Sequence, residues 1–167
     1  MKINRFEEKQ IKTINNKALH KGFYSDCHSS SLIELRNPCW NYNDEDDELP
    51  AFPYDTADVF LHGSCWLFSM VLQKEAKLPA YEIRGNNNRL IHTFCKTVFC
   101  GQDAFVDIRG VTTDFNELIA PFCIFPNEKI NFVSRDVDSD FENMTDGERF
   151  GYEFALKLYH TNKTIYC

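Results

Sequence analysis

The chain has 167 residues, a length typical of one domain with a sizeable core. Hydrophobic residues make up 43% of it and aromatic residues 14%, which excludes disorder as the overall state. The formal net charge of −7 argues against a nucleic-acid partner, because binding a phosphate backbone requires clustered Lys and Arg. No stretch approaches the ~18 consecutive apolar residues of a membrane span.

The charged N-terminus, residues 1–10, lacks the apolar stretch of a signal peptide. The seven cysteines are therefore expected to be reduced thiols rather than a disulfide framework, and their odd number rules out full internal pairing. We expect a cytoplasmic protein, although signal-independent export or a phage origin would leave the same sequence. The oligomeric state is not predicted.

The first third of the chain shows few regular patterns. Apolar residues between Phe6 and Leu19 predict a weakly amphipathic helix that Gly22 could end. Residues 24–40 look irregular, and the acidic run at 43–48 is typical of a solvated loop. A calcium site is the alternative for that run, but its spacing does not fit an EF-hand. Residues 24–58 are expected to supply the substrate-binding side chains.

The pattern becomes regular from Val59 onwards. Residues from Cys65 to about Ala76 predict a helix that is apolar almost all round, as in the middle of a domain. Strands are predicted at 80–84, 90–99 and 104–108, with turns at 85–88 and 100–103.

The remaining elements begin with helix-capping patterns. A short helix is predicted to begin at Asp114-Phe115-Asn116-Glu117 and to end at Pro121, with a further strand at 130–133. A capping box at Thr145–Glu148 starts a C-terminal helix. Its predicted buried face consists of Phe150, Phe154, Ala155 and Leu158. The sequence thus predicts a single α+β domain over 1–167, with a buried helix packed on an antiparallel sheet and a catalytic core at about 58–122.

The most informative segment is Gly63-Ser64-Cys65-Trp66-Leu67-Phe68-Ser69, which places a cysteine in the first turn of the buried helix. The N–H groups of a first turn have no intrahelical partner, and the helix dipole there favours negative charge. A thiol in this position is shifted toward thiolate, the nucleophilic form.

Two further residues are placed to activate this thiol. His92 and Asp107 lie in strands on either side of the turn at 100–103, at nearly symmetric positions. Side chains that face each other across a hairpin lie ~4.5–5.5 Å apart at Cβ, so a carboxylate could orient an imidazole there. We therefore predict a Cys65–His92–Asp107 catalytic triad. A packing role for Cys65, or a partner other than His92 for Asp107, is the alternative.

The seven-residue segment resembles the active-site helix start of the papain family of cysteine peptidases, with one difference where that family usually has alanine. Three features depart from the family. His62 stands where the family has a cysteine before the motif, and Val59 stands where the family's upstream glutamine is expected. The family's histidine comes ~130–150 residues after its cysteine, which is farther than this chain reaches from Cys65.

The actual spacing, with His92 27 residues after Cys65 and Asp107 15 later, resembles the transglutaminase-like branch of papain-like folds. Residues 106–110 also resemble the aspartate strand of minimal bacterial or phage members, so that this resemblance covers about residues 60–120.

The resemblance implies a role for each residue. Cys65 would attack a carbonyl, His92 would transfer the proton, and Asp107 would orient His92. The N–H of Cys65 would be one oxyanion donor, with His62 a weak candidate for the second.

Ser64, Trp66 and Arg109 are the other candidates for substrate binding or the oxyanion site. Trp66 would form a wall of the site, and Arg109 would bind substrate or pair with a nearby acid.

The predicted function is hydrolysis of an amide, isopeptide or thioester bond in a protein or peptide substrate. Acyl transfer is the alternative within the same fold, and a non-catalytic binding or inhibitor protein is the alternative from another class. No cofactor is predicted. No metal site is predicted either, because the chain contains no Cys-x-x-Cys pair and its Cys and His spacings match no zinc module.

Overall fold

A computed structural model describes residues 57–99 and 101–166 of the chain. The predicted N-terminal helix, the irregular segment at 24–40 and the acidic run at 43–48 lie outside the described residues. The cysteines at 27, 39, 100 and 167 also lie outside them.

The central helix, α1, spans Cys65–Ala76, as predicted. A short 3-10 turn at Ala57–Phe60 precedes it, and Gly63 has a φ of +113°, a conformation that favours glycine. The helix ends at Lys77, whose left-handed backbone lets its N–H bond the last carbonyls. Most of the helix is buried, which explains its nearly continuous apolar sequence.

The sheet has five strands in the order β4-β3-β2-β1-β5, and every neighbouring pair is antiparallel. The strands are β1 (Ala80–Arg84), β2 (Leu90–Phe99), β3 (Gln102–Asp107), β4 (Gly110–Thr112) and β5 (Asn131–Ser134). The first two have the predicted bounds. The third begins two residues earlier than predicted, β5 is displaced by one residue, and β4 was not predicted.

Four further helices follow the first four strands: α2 (Phe115–Ile119), α3 (Val137–Glu142), α4 (Asp146–Thr161) and α5 (Lys163–Tyr166). The predicted capping box at the start of α4 is confirmed, since Thr145 and Glu148 satisfy each other's backbone N–H groups. At α2 the N-cap is Asp114, which accepts from the N–H of Asn116. Helices α3 and α5 were not predicted from the sequence.

The sheet is covered on both faces. Helix α1 packs on one face, where Cys95, Val106 and Ile108 of the sheet and its edge join the main core, and α4 packs against α1. On the other face, Ile83 and Phe94 are buried against Leu118 of α2. The observed architecture is therefore α+β, as predicted. None of the described helices has the length and apolarity needed to cross a bilayer.

Candidate active site

Cys65 is the first residue of α1 and is only 6% exposed. The preceding Ser64 is the N-cap, but its side chain makes no capping hydrogen bond. Within the described residues, no backbone hydrogen bond engages the N–H of Cys65 or of Trp66. The thiol therefore lies at a helix start whose first donors are available to a negatively charged group.

His92 and Asp107 are in direct contact. His92 Nε2 lies 2.9 Å from Asp107 Oδ2, and both side chains are almost fully buried. In the β2–β3 register Cys95 pairs with Val106, so the next pair would place Asp107 opposite Phe94. The carboxylate thus reaches His92 along a diagonal of the hairpin rather than from the directly opposite position.

Arg109 holds the other side of Asp107. Its backbone N–H donates to Oδ1 at 2.8 Å, and its Nε lies 3.1 Å from Oδ1 and 3.0 Å from Oδ2. Its Nη2 also donates to the carbonyl oxygen of Leu118 at 2.7 Å. Of the two predicted roles for this arginine, the structure shows the pairing with an acid, at a position 1% exposed.

The charges of this group favour an ionised aspartate. Burial alone would raise the pKa of Asp107, but the charge of Arg109 and the hydrogen bonds from His92 and Arg109 hold it well below its usual range. A permanently charged Asp107 can therefore fix the ring of His92 and stabilise its protonated form.

The thiol and the imidazole favour opposite charges. Burial opposes ionisation of Cys65, yet the contact with His92 and the donors of Thr93 outweigh it and lower the pKa of the thiol. Burial likewise disfavours the charged form of His92, but Asp107 and Cys65 raise its pKa. Both shifts stabilise a thiolate–imidazolium pair.

The two nitrogens of His92 have different surroundings. Nε2 faces Asp107, whereas Nδ1 is buried with no hydrogen-bond partner of ordinary geometry among the described residues. Nδ1 is thus the nitrogen left to exchange a proton with Cys65.

An aromatic ring that the sequence did not single out covers the site. Phe122 stacks on His92, with ring centroids 4.3 Å apart and an interplanar angle of 28°. The guanidinium carbon of Arg109 lies 5.5 Å from the centre of the same ring. Phe122 therefore shields the buried charges, although nothing in its local sequence, just after Pro121, marks it.

The loop that carries Phe122 is anchored to the turn between β1 and β2. Glu128 accepts hydrogen bonds from Arg89, at 2.8 Å, and from the N–H of Asn86, at 3.1 Å. Gly85 makes room for this carboxylate, since a Cβ there would lie 2.0 Å from Glu128 Oε1. Arg89 also donates to the carbonyl of Cys123 at 3.0 Å, which ties down the residue next to Phe122.

Two other predicted site residues, His62 and Trp66, do not join the charged group. His62 is exposed, and its ring centre lies 6.1 Å from that of Phe122. Trp66 is half-buried, and the guanidinium carbon of Arg135 lies 5.4 Å from the centre of the Trp66 ring. In the described part of the chain, no hydrogen bond links His62 or Trp66 to Cys65.

Nothing matches this chain among protein-family models, curated protein sequences or solved structures. No cluster of three or more Cys, His, Asp or Glu side chains suited to a metal ion occurs within residues 57–99 and 101–166. The chemistry available to these residues is that of a nucleophilic thiol with a proton-transfer partner.

Proposed function

We propose that this protein is a cysteine hydrolase with a papain-like fold of the transglutaminase-like kind, acting on an amide, isopeptide or thioester bond of a protein or peptide. The observation that carries the proposal is the buried chain of contacts Cys65–His92–Asp107, in which the thiol's pKa is lowered and the imidazole's is raised. A cysteine used only for packing has no need of a charged partner.

The reaction would begin with attack of the Cys65 thiolate on the carbonyl carbon, forming a C–S bond. The negative charge that develops on the oxygen would be stabilised by the N–H groups at the start of α1, which the described residues leave without a backbone acceptor. His92 would give its Nδ1 proton to the leaving amine or thiol as the C–N or C–S bond of the substrate breaks.

The second half would use the same residues in reverse. His92 would accept a proton from water as its oxygen attacks the acyl carbon, and the C–S bond would break to release a carboxylic acid and restore the thiolate–imidazolium pair. An amine in place of water would give acyl transfer instead. Hydrolysis is the leading proposal because water is always available as the second nucleophile.

One observation favours a second candidate, a non-catalytic binding protein that retains this fold. Cys65 is only 6% exposed, so a substrate carbonyl would need access that the folded chain barely provides. A buried thiol that never meets a substrate is compatible with a protein that acts by contact alone.

Alkylation by iodoacetamide between pH 5 and 9, followed by peptide mass spectrometry, separates the two candidates. The exposed Cys123 is an internal reference, and the buried Cys95, whose pKa is raised by burial, is a slow one. We expect Cys65 to be labelled at pH 6 much faster than Cys123, and His92→Ala to abolish this advantage. Labelling of Cys65 no faster than that of Cys123, unchanged by the substitution, would contradict the enzyme proposal.

A further inference from the structure

Thr93, next to His92 in β2, has a buried hydroxyl close to the candidate site. The residue is 1% exposed, and its Oγ1 has no hydrogen-bond partner of ordinary geometry among the described residues. Buried polar groups in folded proteins are nearly always hydrogen-bonded, so an exception calls for an explanation.

The packing of α1 on β2 places this hydroxyl at the level of the nucleophile. Cys95 Sγ donates to the carbonyl oxygen of Ser69 at 3.4 Å, which fixes one point where the two elements meet. Thr93 lies two residues before Cys95 on the same face of the strand, about 6.6 Å earlier. Cys65 lies four residues before Ser69, about 6 Å earlier along the helix.

Cys65 contacts His92, which precedes Cys95 in β2 as Cys65 precedes Ser69 in α1. The two elements therefore run in the same direction, and the two offsets agree. Thr93 therefore faces Cys65 in the same way that Cys95 faces Ser69. The second pair lies one helical turn further along α1. Its influence on the sulfur supports this placement: burial opposes ionisation, but after His92 the hydroxyl and the backbone N–H of Thr93 also lower the pKa of Cys65.

We propose that Thr93 is a positioning residue for the nucleophile, whose hydroxyl donates to the Cys65 sulfur when it is a thiolate. This inference rests on the proposed function. While the thiol is neutral, the hydroxyl has no good acceptor. When the thiol proton moves to His92, the Cys65 thiolate becomes a charged acceptor for the hydroxyl. The hydroxyl therefore favours the thiolate and holds the sulfur against the strand.

Two substitutions isolate the hydroxyl. Thr93→Val removes it while keeping the side-chain shape and the backbone N–H, and Thr93→Ser keeps it. Among the described residues, the charged groups that act on the thiol or on its partner, His92, Asp107 and Arg109, are unchanged in both variants.

The measurement is the rate of iodoacetamide labelling at Cys65 from pH 5 to 9, with thiolate absorbance near 240 nm as a second readout. For Thr93→Val we expect the midpoint to move to higher pH and the rate below it to fall roughly three- to tenfold. At pH 9 its rate should equal or exceed that of the wild type, because a more basic thiolate is more nucleophilic. Thr93→Ser should restore the wild-type profile.

Each other outcome is informative. A Thr93→Val profile that coincides with the wild type overturns the inference while the proposed function stands. Slowing by the same factor at every pH, in both variants, indicates a structural role and also overturns it. A wild-type Cys65 that labels no faster than Cys123 and does not depend on His92 overturns the proposed function, and this inference with it. Thr93→Ala provides the same comparison if valine prevents folding.

Discussion

Arg109→Met offers the sharpest test of how the buried charges are arranged. The guanidinium is 1% exposed and pairs with Asp107, whose side chain is 2% exposed. Methionine keeps most of the apolar volume but leaves the carboxylate without its main counter-charge. Removing one partner of a buried ion pair costs about 3–5 kcal/mol of the free energy of unfolding.

Lys74→Met is the matched control. Lys74 pairs with Asp138 at 3.0 Å, but the side chain of Asp138 is 85% exposed. An exposed pair contributes below about 1 kcal/mol. In urea denaturation at pH 7, with an m value of about 2 kcal/mol/M, we expect Arg109→Met to lower the midpoint by about 1.5–2.5 M and the control by under about 0.5 M.

The pH dependence of the free energy of unfolding tests the same charges independently. In the wild type the lowered pKa of Asp107 contributes stability above the ordinary aspartate pKa of ~3.9, which is lost only as the pH falls through the folded value. Without Arg109, burial raises the pKa of Asp107, so the folded variant takes up a proton as the pH falls toward about 4. The difference between wild type and variant should therefore narrow between pH 7 and pH 4. A difference equal to that of the control, or constant over this range, would refute the reasoning.

Three further predictions concern single contacts. Tyr166→Phe removes a buried hydroxyl that donates to the carbonyl of Ile108 at 2.9 Å, and should cost about 1 kcal/mol in urea denaturation. An unchanged midpoint would argue against that hydrogen bond. Thr145→Ala removes the capping box of α4 and should cost about 0.5–2 kcal/mol, with Thr145→Ser retaining most of the stability. Phe122→Ala uncovers His92 and should speed alkylation of Cys65 at pH 6, because burial opposes the charged forms of both His92 and Cys65. Labelling no faster than in the wild type would show that the ring does not keep water from the site.

Local sequence patterns were sufficient for the elements that frame the site. The apolar run after Ser64 predicted the bounds of α1, and the alternation and flanking turns predicted β1 and β2. The capping box at Thr145 predicted the start of α4. Each of these signals depends on neighbours within a few residues, where the periodicity and hydrogen bonding of the backbone are set.

The short elements were missed because their stability comes from distant contacts. Strand β4 has only three residues, and it exists because β3 turns back upon itself with Asp107 opposite Gly110. Helix α5 has four residues and is held by Tyr166, which packs against Phe68 and bonds the carbonyl of Ile108. Elements this short have no sequence periodicity from which they could be predicted.

For the site, the sequence by itself determined the chemical types: a thiol at a helix start, and a histidine and an aspartate in adjacent strands. Tertiary structure alone decided how they meet. The hairpin register made the His92–Asp107 contact diagonal, the fold turned Arg109 inward onto Asp107, and a loop 30 residues beyond His92 placed Phe122 over its ring. Each of these contacts joins side chains that are distant in sequence. Strand register, burial and loop closure depend on how the whole domain packs, so local sequence patterns do not determine them.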